Sequence, residues 1–210
     1  MPQRTASLAH RYARRIGTWI VLLRGVNLGS HNQIAMPALR ATLEAHGCTD
    51  VRTHLQSGNV VLGARERGEA AIVAKVRAAL LEGHGIDCPV VVRTPKQWAT
   101  AIAASPFAER VAGGRRDAGG SSSGGGTADS RAVHVTFLDA PPPPDALADV
   151  DPTWHAPDEL EVVGREVHLW CPGGYGRTKL TPAYLERRTG RVATDRNWNT
   201  VLALAELAAR

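Results

Sequence analysis

Residues 19–32 read WIVLLRGVNLGSHN. Five apolar residues run directly into Arg24 and Gly25, and a loop of asparagine, glycine, serine and histidine follows. A short, continuous apolar run predicts a buried strand. Polar, glycine-containing loops at the ends of such strands are typical of binding sites. We therefore predict that residues 19–24 form the first strand and deliver a binding loop to the edge of the domain.

The segments that follow alternate between helix and strand patterns. Residues 36–47 have a proline in the first turn and end at a glycine, which predicts a helix. A hairpin is indicated by strands at residues 50–55 and 59–63, which flank a turn rich in polar residues and glycine. Apolar residues with a period of about 3.6 predict an amphipathic helix over residues 66–81. Residues 88–93 form a short apolar strand pattern.

The resulting order, β-α-β-β-α-β over residues 18–94, matches the ferredoxin-like split βαβ pattern. The alternative is a doubly wound sheet, which expects a helix between all of its strands. The gap between Leu55 and Asn59 is too short for a crossover helix. The sequence therefore predicts an α+β fold with a ferredoxin-like N-terminal unit.

The second half has weaker patterns, and we predict a second, smaller α+β subdomain over residues 95–210. Its predicted elements are helices at 94–104, 145–148, 181–188 and 197–209, a strand at 131–138 and a hairpin at 160–170. The glycine- and serine-rich residues 112–130 predict a flexible insert, and residues 1–17 a disordered N-terminal extension. A degenerate copy of the first unit is an alternative for this half, although no repeat of individual residues supports it.

The composition excludes several functional classes. The 210 residues are 43% hydrophobic and 21% charged, as in ordinary globular proteins, and the longest apolar run is far too short for a membrane span. The three cysteines are widely spaced, which favours a reduced cytoplasm. The eight histidines show no metal-ligand spacing, and no dinucleotide motif follows any strand. We therefore predict no metal, no cofactor and no membrane association.

The net charge of +5 is distributed unevenly. Residues 1–17 hold four arginines and no acid, and residues 171–200 hold six cations against two acids. Such a local excess favours an anionic partner, such as a phosphate-bearing small molecule or nucleic acid. A solvated basic face is the alternative interpretation.

Four polar segments contain the candidate ligand-binding residues. In the first, Arg24 offers a planar donor fork, and Asn27 lies in a loop whose backbone N–H groups can approach an anion. A turn in which asparagine caps its own backbone explains the same residues structurally. The second segment is the turn with Gln56, Ser57 and Asn59, for which we predict polar ligand contacts. A tight hairpin alone also accounts for that turn.

The third segment, residues 173–179, contains Tyr175, Arg177 and Lys179. It lies between a predicted strand and a predicted helix, where a phosphate can meet backbone N–H groups and the positive end of the helix. The segment departs from the Walker A pattern. The Tyr-x-x-x-Lys spacing also occurs in short-chain dehydrogenases, but this chain lacks their glycine-rich fingerprint.

The fourth segment places Arg196 and Asn197 directly before the terminal helix. Asparagine is a favourable N-cap, which gives the segment a structural explanation, and Arg196 is the candidate for an anion site. No pair of carboxylates stands out for acid–base catalysis. The catalytic residues are therefore unknown, and the sequence leaves enzymatic activity open.

Together these segments resemble the domain of unknown function 1697 family, a family of bacterial proteins. Its Leu-Arg-Gly-Ile/Val-Asn motif falls on residues 23–27, and its Gln-Ser-Gly-Asn turn on residues 56–59. Its Tyr-Gly-Arg-Thr/Ser-Lys-Leu and Arg-Asn-Trp motifs fall on residues 175–180 and 196–198. The resemblance extends over residues 19–207. It implies a cytoplasmic protein with a ferredoxin-like α+β unit, and it implies no activity.

The leading hypothesis is a protein that binds a phosphorylated or otherwise anionic small molecule, with Arg24, Arg177 and Lys179 holding the charge. Nucleic-acid binding through the sheet face is the rival hypothesis. It is less favoured, because the strands at residues 50–63 and 88–93 contain no aromatic residue to stack on bases. A non-catalytic interaction module is a third alternative. The sequence determines neither the oligomeric state nor whether the polar segments share one pocket.

Overall fold

A computed structural model describes residues 16–29, 31–112 and 130–210. The described chain combines helices with two four-stranded antiparallel sheets, which confirms the predicted α+β class. The predicted N-terminal extension, apart from residues 16 and 17, and nearly all of the predicted glycine- and serine-rich insert lie outside the described residues. Within the described part of the chain, no helix is long and apolar enough to cross a membrane.

The first sheet and its helices have the element order β-α-β-β-α-β. The elements are β1 (Gly17–Leu23), α1 (Met36–Ala45), β2 (Thr49–His54), β3 (Asn59–Ala64), α2 (Glu69–His84) and β4 (Val90–Arg93). The strand order is β2-β3-β1-β4, so β1 lies inside the sheet between β3 and β4. The loop that begins at Arg24 therefore leaves the sheet from an interior strand.

Two helices, α3 (Pro95–Ala103) and α4 (Ala108–Ala112), lead to the second sheet, which repeats the topology of the first. Its elements are β5 (Val133–Leu138), α5 (Pro152–His155), β6 (Glu159–Val163), β7 (Glu166–Trp170), α6 (Pro182–Thr189) and β8 (Ala193–Asn197). The strand order, β6-β7-β5-β8, places each strand where its counterpart lies in the first sheet. The second half is thus a topological copy of the first, and helix α7 (Trp198–Ala208) ends the chain.

Two details of the second half differ from the sequence prediction. Residues 193–197 form strand β8, although they contain too few apolar residues to give a strand pattern. The predicted helix at residues 145–148 is wrong, because residues 144–149 form turns. The helix begins instead after Asp151, whose side chain accepts a hydrogen bond from the Thr153 N–H group as an N-cap.

The apolar core lies on both faces of the first sheet. Val21 and Leu23 of β1 pack on the face that α1 and α2 cover. Ile20 and Leu22 point the other way, into a core formed with α3, α7 and Phe137 of β5. Because β1 is buried on both faces, its sequence is a continuous apolar run rather than an alternating one. A third core, between the second sheet and α6, covers the outer face of that sheet.

Candidate functional site

A pocket of about 580 Å³ lies between the two halves of the chain. All four predicted polar segments contribute to its lining, through Arg24, Ser57, Tyr175, Arg196 and Asn197. The remaining lining comes from strand β8, the start of α6 and single residues of β1, its loop and α7, which are Leu23, Gly25, Val26, Leu28 and Thr200. The fold therefore brings together segments that are up to 173 residues apart, as the hydrogen bond between Arg196 and Leu23 shows.

Asn27 shapes the loop after β1 and does not line the pocket. Its side-chain Oδ1 accepts from the Ile34 N–H group at 2.8 Å, and its Nδ2 donates to Ile34 O at 2.9 Å. The same Nδ2 donates to Gln56 O at 2.7 Å. The backbone φ of Asn27 is 55°, a left-handed value that asparagine tolerates. Asn27 therefore ties the loop to the hairpin turn, and Gln56 contributes its carbonyl to this link.

Gly58 allows the hairpin turn to pack directly against the loop. Its φ is +73°, and a Cβ atom there would lie 2.5 Å from Val26 Cγ2 and 2.7 Å from Leu23 Cβ. Real Cβ atoms essentially never come so close to other atoms. Glycine is therefore required at this position, and the close approach places Ser57 at the pocket wall.

Arg24 and Glu186 close the free edge of β8. Arg24 Nε donates to Ala193 O at 2.9 Å, and Glu186 Oε1 accepts from the Ala193 N–H group at 3.0 Å. Arg24 Nη2 pairs with Glu186 Oε2 at 2.6 Å. The two side chains thus satisfy the backbone of Ala193 as a neighbouring strand would. Arg24 Nη1 makes no hydrogen bond within the described chain, which leaves two donors for a ligand.

Arg196 extends from β8 to the first half and is only 7% exposed. Its N–H groups donate to five neutral acceptors, which are Asn59 Oδ1, Leu23 O, Ser57 O, Thr194 Oγ1 and Asp195 O. Burial lowers the pKa of Arg196 to about 10, and the negative charge of Asp195 opposes this shift. Arg196 therefore remains a cation at neutral pH, with all of its donors in use.

A polar cluster lies beside the pocket on one face of β5 and β8. His134 Nδ1 is 2.7 Å from Asp195 Oδ2, and Thr136 Oγ1 donates to Asp195 Oδ1 at 3.1 Å. The Tyr175 ring stacks on His134 with a centroid distance of 4.0 Å. The Tyr175 hydroxyl is buried without a hydrogen-bond partner among the described residues. Burial, together with the nearby Asp195 charge, raises the pKa of Tyr175, so the hydroxyl stays a neutral donor.

Two predicted cations lie outside the pocket lining. Lys179 Nζ donates to Trp154 O at 2.6 Å and lies 5.3 Å from the centre of the Trp154 ring. Arg177 is exposed at the end of the 3-10 turn Tyr175–Arg177. Both side chains therefore lie away from the pocket, and Arg24 and Arg196 are the cations that line it.

Sequence reasoning missed three residues that the structure places at or beside the pocket: His134, Glu186 and Asp195. His134 interrupts an otherwise apolar strand pattern, which is the available signal for a polar site on β5. Asp195 directly precedes a predicted site residue, but the sequence predicts no strand there. The direction of the Asp195 side chain therefore could not be predicted. Glu186 gives no signal, because a glutamate on a polar helix is ordinary.

The lining of the pocket combines two cations, the carboxylate of Asp195, hydrogen-bonding groups and apolar side chains. The described residues contain no group of three or more histidine, cysteine, aspartate or glutamate side chains that could hold a metal ion. The free donors of Arg24 and the first turn of α6 favour an anionic group. Val26, Leu28 and Pro182 provide an apolar wall for the rest of a ligand.

Comparison with known proteins identifies the family and supports the fold. The chain is similar to the conserved bacterial protein SP0830 from Streptococcus pneumoniae, with a TM-score of 0.64 and 18% sequence identity over 93% of this chain and 100% of that chain. No curated protein sequence matches the chain. The sequence model of the family described as "Protein of unknown function (DUF1697)" matches residues 16–168, most of the chain. The chain therefore belongs to the DUF1697 family.

Proposed function

We propose that the chain binds a small molecule in the pocket between its halves and that this ligand carries a phosphate or another anionic group. The observation that carries the proposal is the meeting of all four polar segments in one pocket of about 580 Å³. Pockets of this size hold small molecules, and a few polar groups among apolar residues fix their orientation.

Three features of the pocket support an anionic group. Arg24 lines the pocket with its Nη1 donors unused by the described residues. Arg196 adds a second positive charge at the pocket wall. The residues that begin α6, Thr181 and Pro182, also line the pocket, and the start of a helix carries a partial positive charge. In this arrangement Ser57, Tyr175 and Asn197 are the groups that orient the uncharged part of the ligand.

Nucleic-acid binding remains the second candidate function. RNA-binding sheets of this topology present an open face to the bases. Here, the first sheet carries α1 and α2 on one face and α3 and α7 on the other. The described sheet therefore offers no open face, and the small molecule is favoured. The third alternative, an interaction module, would bind a protein partner and no small molecule.

We also propose the finer assignments that the sequence suggested. The strand order β2-β3-β1-β4 supports a ferredoxin-like first unit over residues 18–94, with a second unit over residues 95–210. Three buried, unpaired cysteines are compatible with a reducing cytoplasm.

The test measures thermal unfolding and calorimetric binding with inorganic phosphate, nucleoside monophosphates and sugar phosphates. We expect at least one of them to raise the melting temperature, because a ligand at about 100 times its Kd stabilises a protein by about 2.7 kcal/mol. Leu28→Glu adds a negative charge to the pocket lining at a side chain that is 67% exposed, so it should abolish the shift without unfolding the protein.

Arg177→Ala and Lys179→Ala are the matched controls, because both remove a predicted cation that lies outside the pocket. They should leave the ligand-induced shift unchanged. The proposal fails if no anionic ligand shifts the melting temperature, or if these controls remove the shift while Leu28→Glu keeps it. Binding of RNA or DNA with a steep dependence on salt would support the second candidate instead.

A further inference from the structure

Two buried arginines occupy equivalent places in the two sheets. In the first sheet, Asn59 is the first residue of β3 and pairs with a residue of β1. In the second sheet, Glu166 is the first residue of β7 and pairs with a residue of β5. Two positions earlier on β1 lies the residue that pairs with Arg93 of β4. Two positions earlier on β5 lies the residue that pairs with Arg196 of β8. The register therefore makes Arg93 equivalent to Arg196, and Asn59 equivalent to Glu166.

Each arginine reaches the opposite half through the same set of contacts. Arg93 Nε donates to Glu166 Oε1 at 2.8 Å, and Arg196 Nε donates to Asn59 Oδ1. Nη2 of Arg93 donates to the carbonyl of the last residue of β5 at 2.7 Å, and Nη2 of Arg196 donates to the carbonyl of the last residue of β1 at 3.0 Å. In both cases Nη1 donates to the carbonyl of the preceding residue. The two sites thus share one geometry.

The two sites differ in charge. Glu166 neutralises Arg93 in a buried ion pair, whereas Asn59 meets Arg196 with a neutral amide. Among the described residues, Arg196 has hydrogen bonds but no ion pair. The carboxylate of Asp195 is nearby, but its oxygens accept from His134 and Thr136. Of these two buried arginines, only Arg196 lines a pocket, the one beside β8.

A second pocket, of about 640 Å³, lies along β4 at the place equivalent to the pocket along β8. Its lining includes Asp139, which follows β5 as Arg24 follows β1. Arg93 does not line it. The equivalent positions 24 and 139 thus carry opposite charges, and the one cation that lines the pocket along β4, Arg77, is paired with Asp87.

We propose, building on the proposed function, that Asn59 sets the charge preference of the pocket. Its neutral amide holds Arg196 in the geometry that Glu166 gives Arg93, but adds no negative charge beside the guanidinium beyond that of Asp195. Arg196 then attracts the anionic group through its electrostatic field rather than by contact, because all of its N–H groups are already in use. Asn59 is therefore a positioning residue that determines specificity for anions.

The test is Asn59→Asp, which copies the charge arrangement of the Arg93 site. We expect this variant to bind inorganic phosphate and a nucleoside monophosphate at least about tenfold more weakly than the unmodified chain, because a buried carboxylate would neutralise Arg196. The dependence of the affinity on salt should also become shallower. A merely structural role of Asn59 would not produce that second change.

Asn59→Ala and Glu166→Gln are the controls. Asn59→Ala removes the amide without adding charge, so it should weaken binding less than Asn59→Asp does, although the fold becomes less stable. Glu166→Gln changes the charge at the equivalent site and should leave the affinity unchanged. The inference is overturned if Asn59→Asp binds both probes normally, or if Asn59→Ala weakens binding as much as Asn59→Asp does. Absence of binding to the unmodified chain would overturn both the inference and the proposed function.

Discussion

At the scale of single residues, the interior of the second sheet contains an unusual histidine. His168 lies in β7, is 0% exposed and has no hydrogen-bond partner for either ring nitrogen among the described residues. Burial lowers its pKa from 6.5 to about 4. The folded chain therefore keeps this imidazole neutral at pH values where an unfolded chain would protonate it.

His168 should make the stability depend on pH. Between pH 6.5 and 4, the unfolded state binds more protons than the folded state, so stability falls as the pH decreases through this range. The full loss from this residue is about 3 kcal/mol, because each unit of pKa shift corresponds to about 1.4 kcal/mol. Denaturant unfolding at several pH values should show that His168→Leu flattens this dependence. An unchanged slope in the variant would contradict the assignment.

A second prediction concerns the contact between the hairpin turn and the loop after β1. Gly58→Ala should destabilise the chain by about 2–4 kcal/mol, because the new Cβ meets Val26 and Leu23 at a positive φ. Gly29→Ala is the matched control, since Gly29 also has a positive φ but no atom within 4 Å of the added Cβ. If chemical denaturation shows that both variants lose the same free energy of unfolding, the close approach of Gly58 to Val26 and Leu23 does not affect stability.

At the scale of elements, local sequence signals identified most helices and strands. Thr94 and Pro95 begin α3 as predicted, and the structure shows a complete capping box with Gln97. Thr181 and Pro182 begin α6, where the Thr181 side chain accepts a hydrogen bond from the Tyr184 N–H group. These signals are readable because a cap acts within a few residues of the chain.

Strand β8 and most of the pocket could not be predicted from the sequence. β8 reads ATDRN, and its polar residues face the pocket or cross to the other half rather than alternate with apolar ones. Whether Arg24 meets Glu186 depends on how two distant halves pack, and no local pattern encodes that. The sequence therefore predicts which segments supply the site. It does not predict that these segments meet in one pocket, or that Lys179 lies outside this pocket.

The edge of β8 gives a prediction at this scale. Glu186→Ala removes the acceptor of the Ala193 N–H group and the partner of Arg24, so it should cost about 1–3 kcal/mol. Glu206→Ala on the exposed face of α7 is the control and should change stability by less than about 0.5 kcal/mol. The two variants can be compared by denaturant titration. If both variants change the free energy of unfolding by similarly small amounts, the side chains of Arg24 and Glu186 do not stabilise the edge of β8.

At the scale of the whole molecule, the two halves share an apolar core. Ile20, Leu22, Val61 and Val91 of the first sheet pack against α3, α7 and the second sheet. The buried pair Arg93–Glu166 also joins the halves. The topology is repeated, and the inner face of the first sheet is covered by elements of the second half.

The shared core predicts that the first half will not remain monomeric alone. A chain of residues 16–94 would expose the apolar inner face of its sheet, and such patches cause association. We expect size-exclusion chromatography to show oligomers or aggregates for this fragment. A folded, monodisperse fragment would mean that the first half is an independent domain.

The proposed site is the pocket between the halves, with an anionic small molecule as its ligand. The most direct measurement is mapping of backbone amide chemical shifts while a phosphate-bearing ligand is titrated into the whole chain. Binding in this pocket predicts saturable shifts in residues 24–28, in the first turn of α6 and in residues 193–197, with none along β4. Shifts confined to Arg177 and Lys179 or to β4, or no saturable shift with any phosphate-bearing ligand, would contradict it.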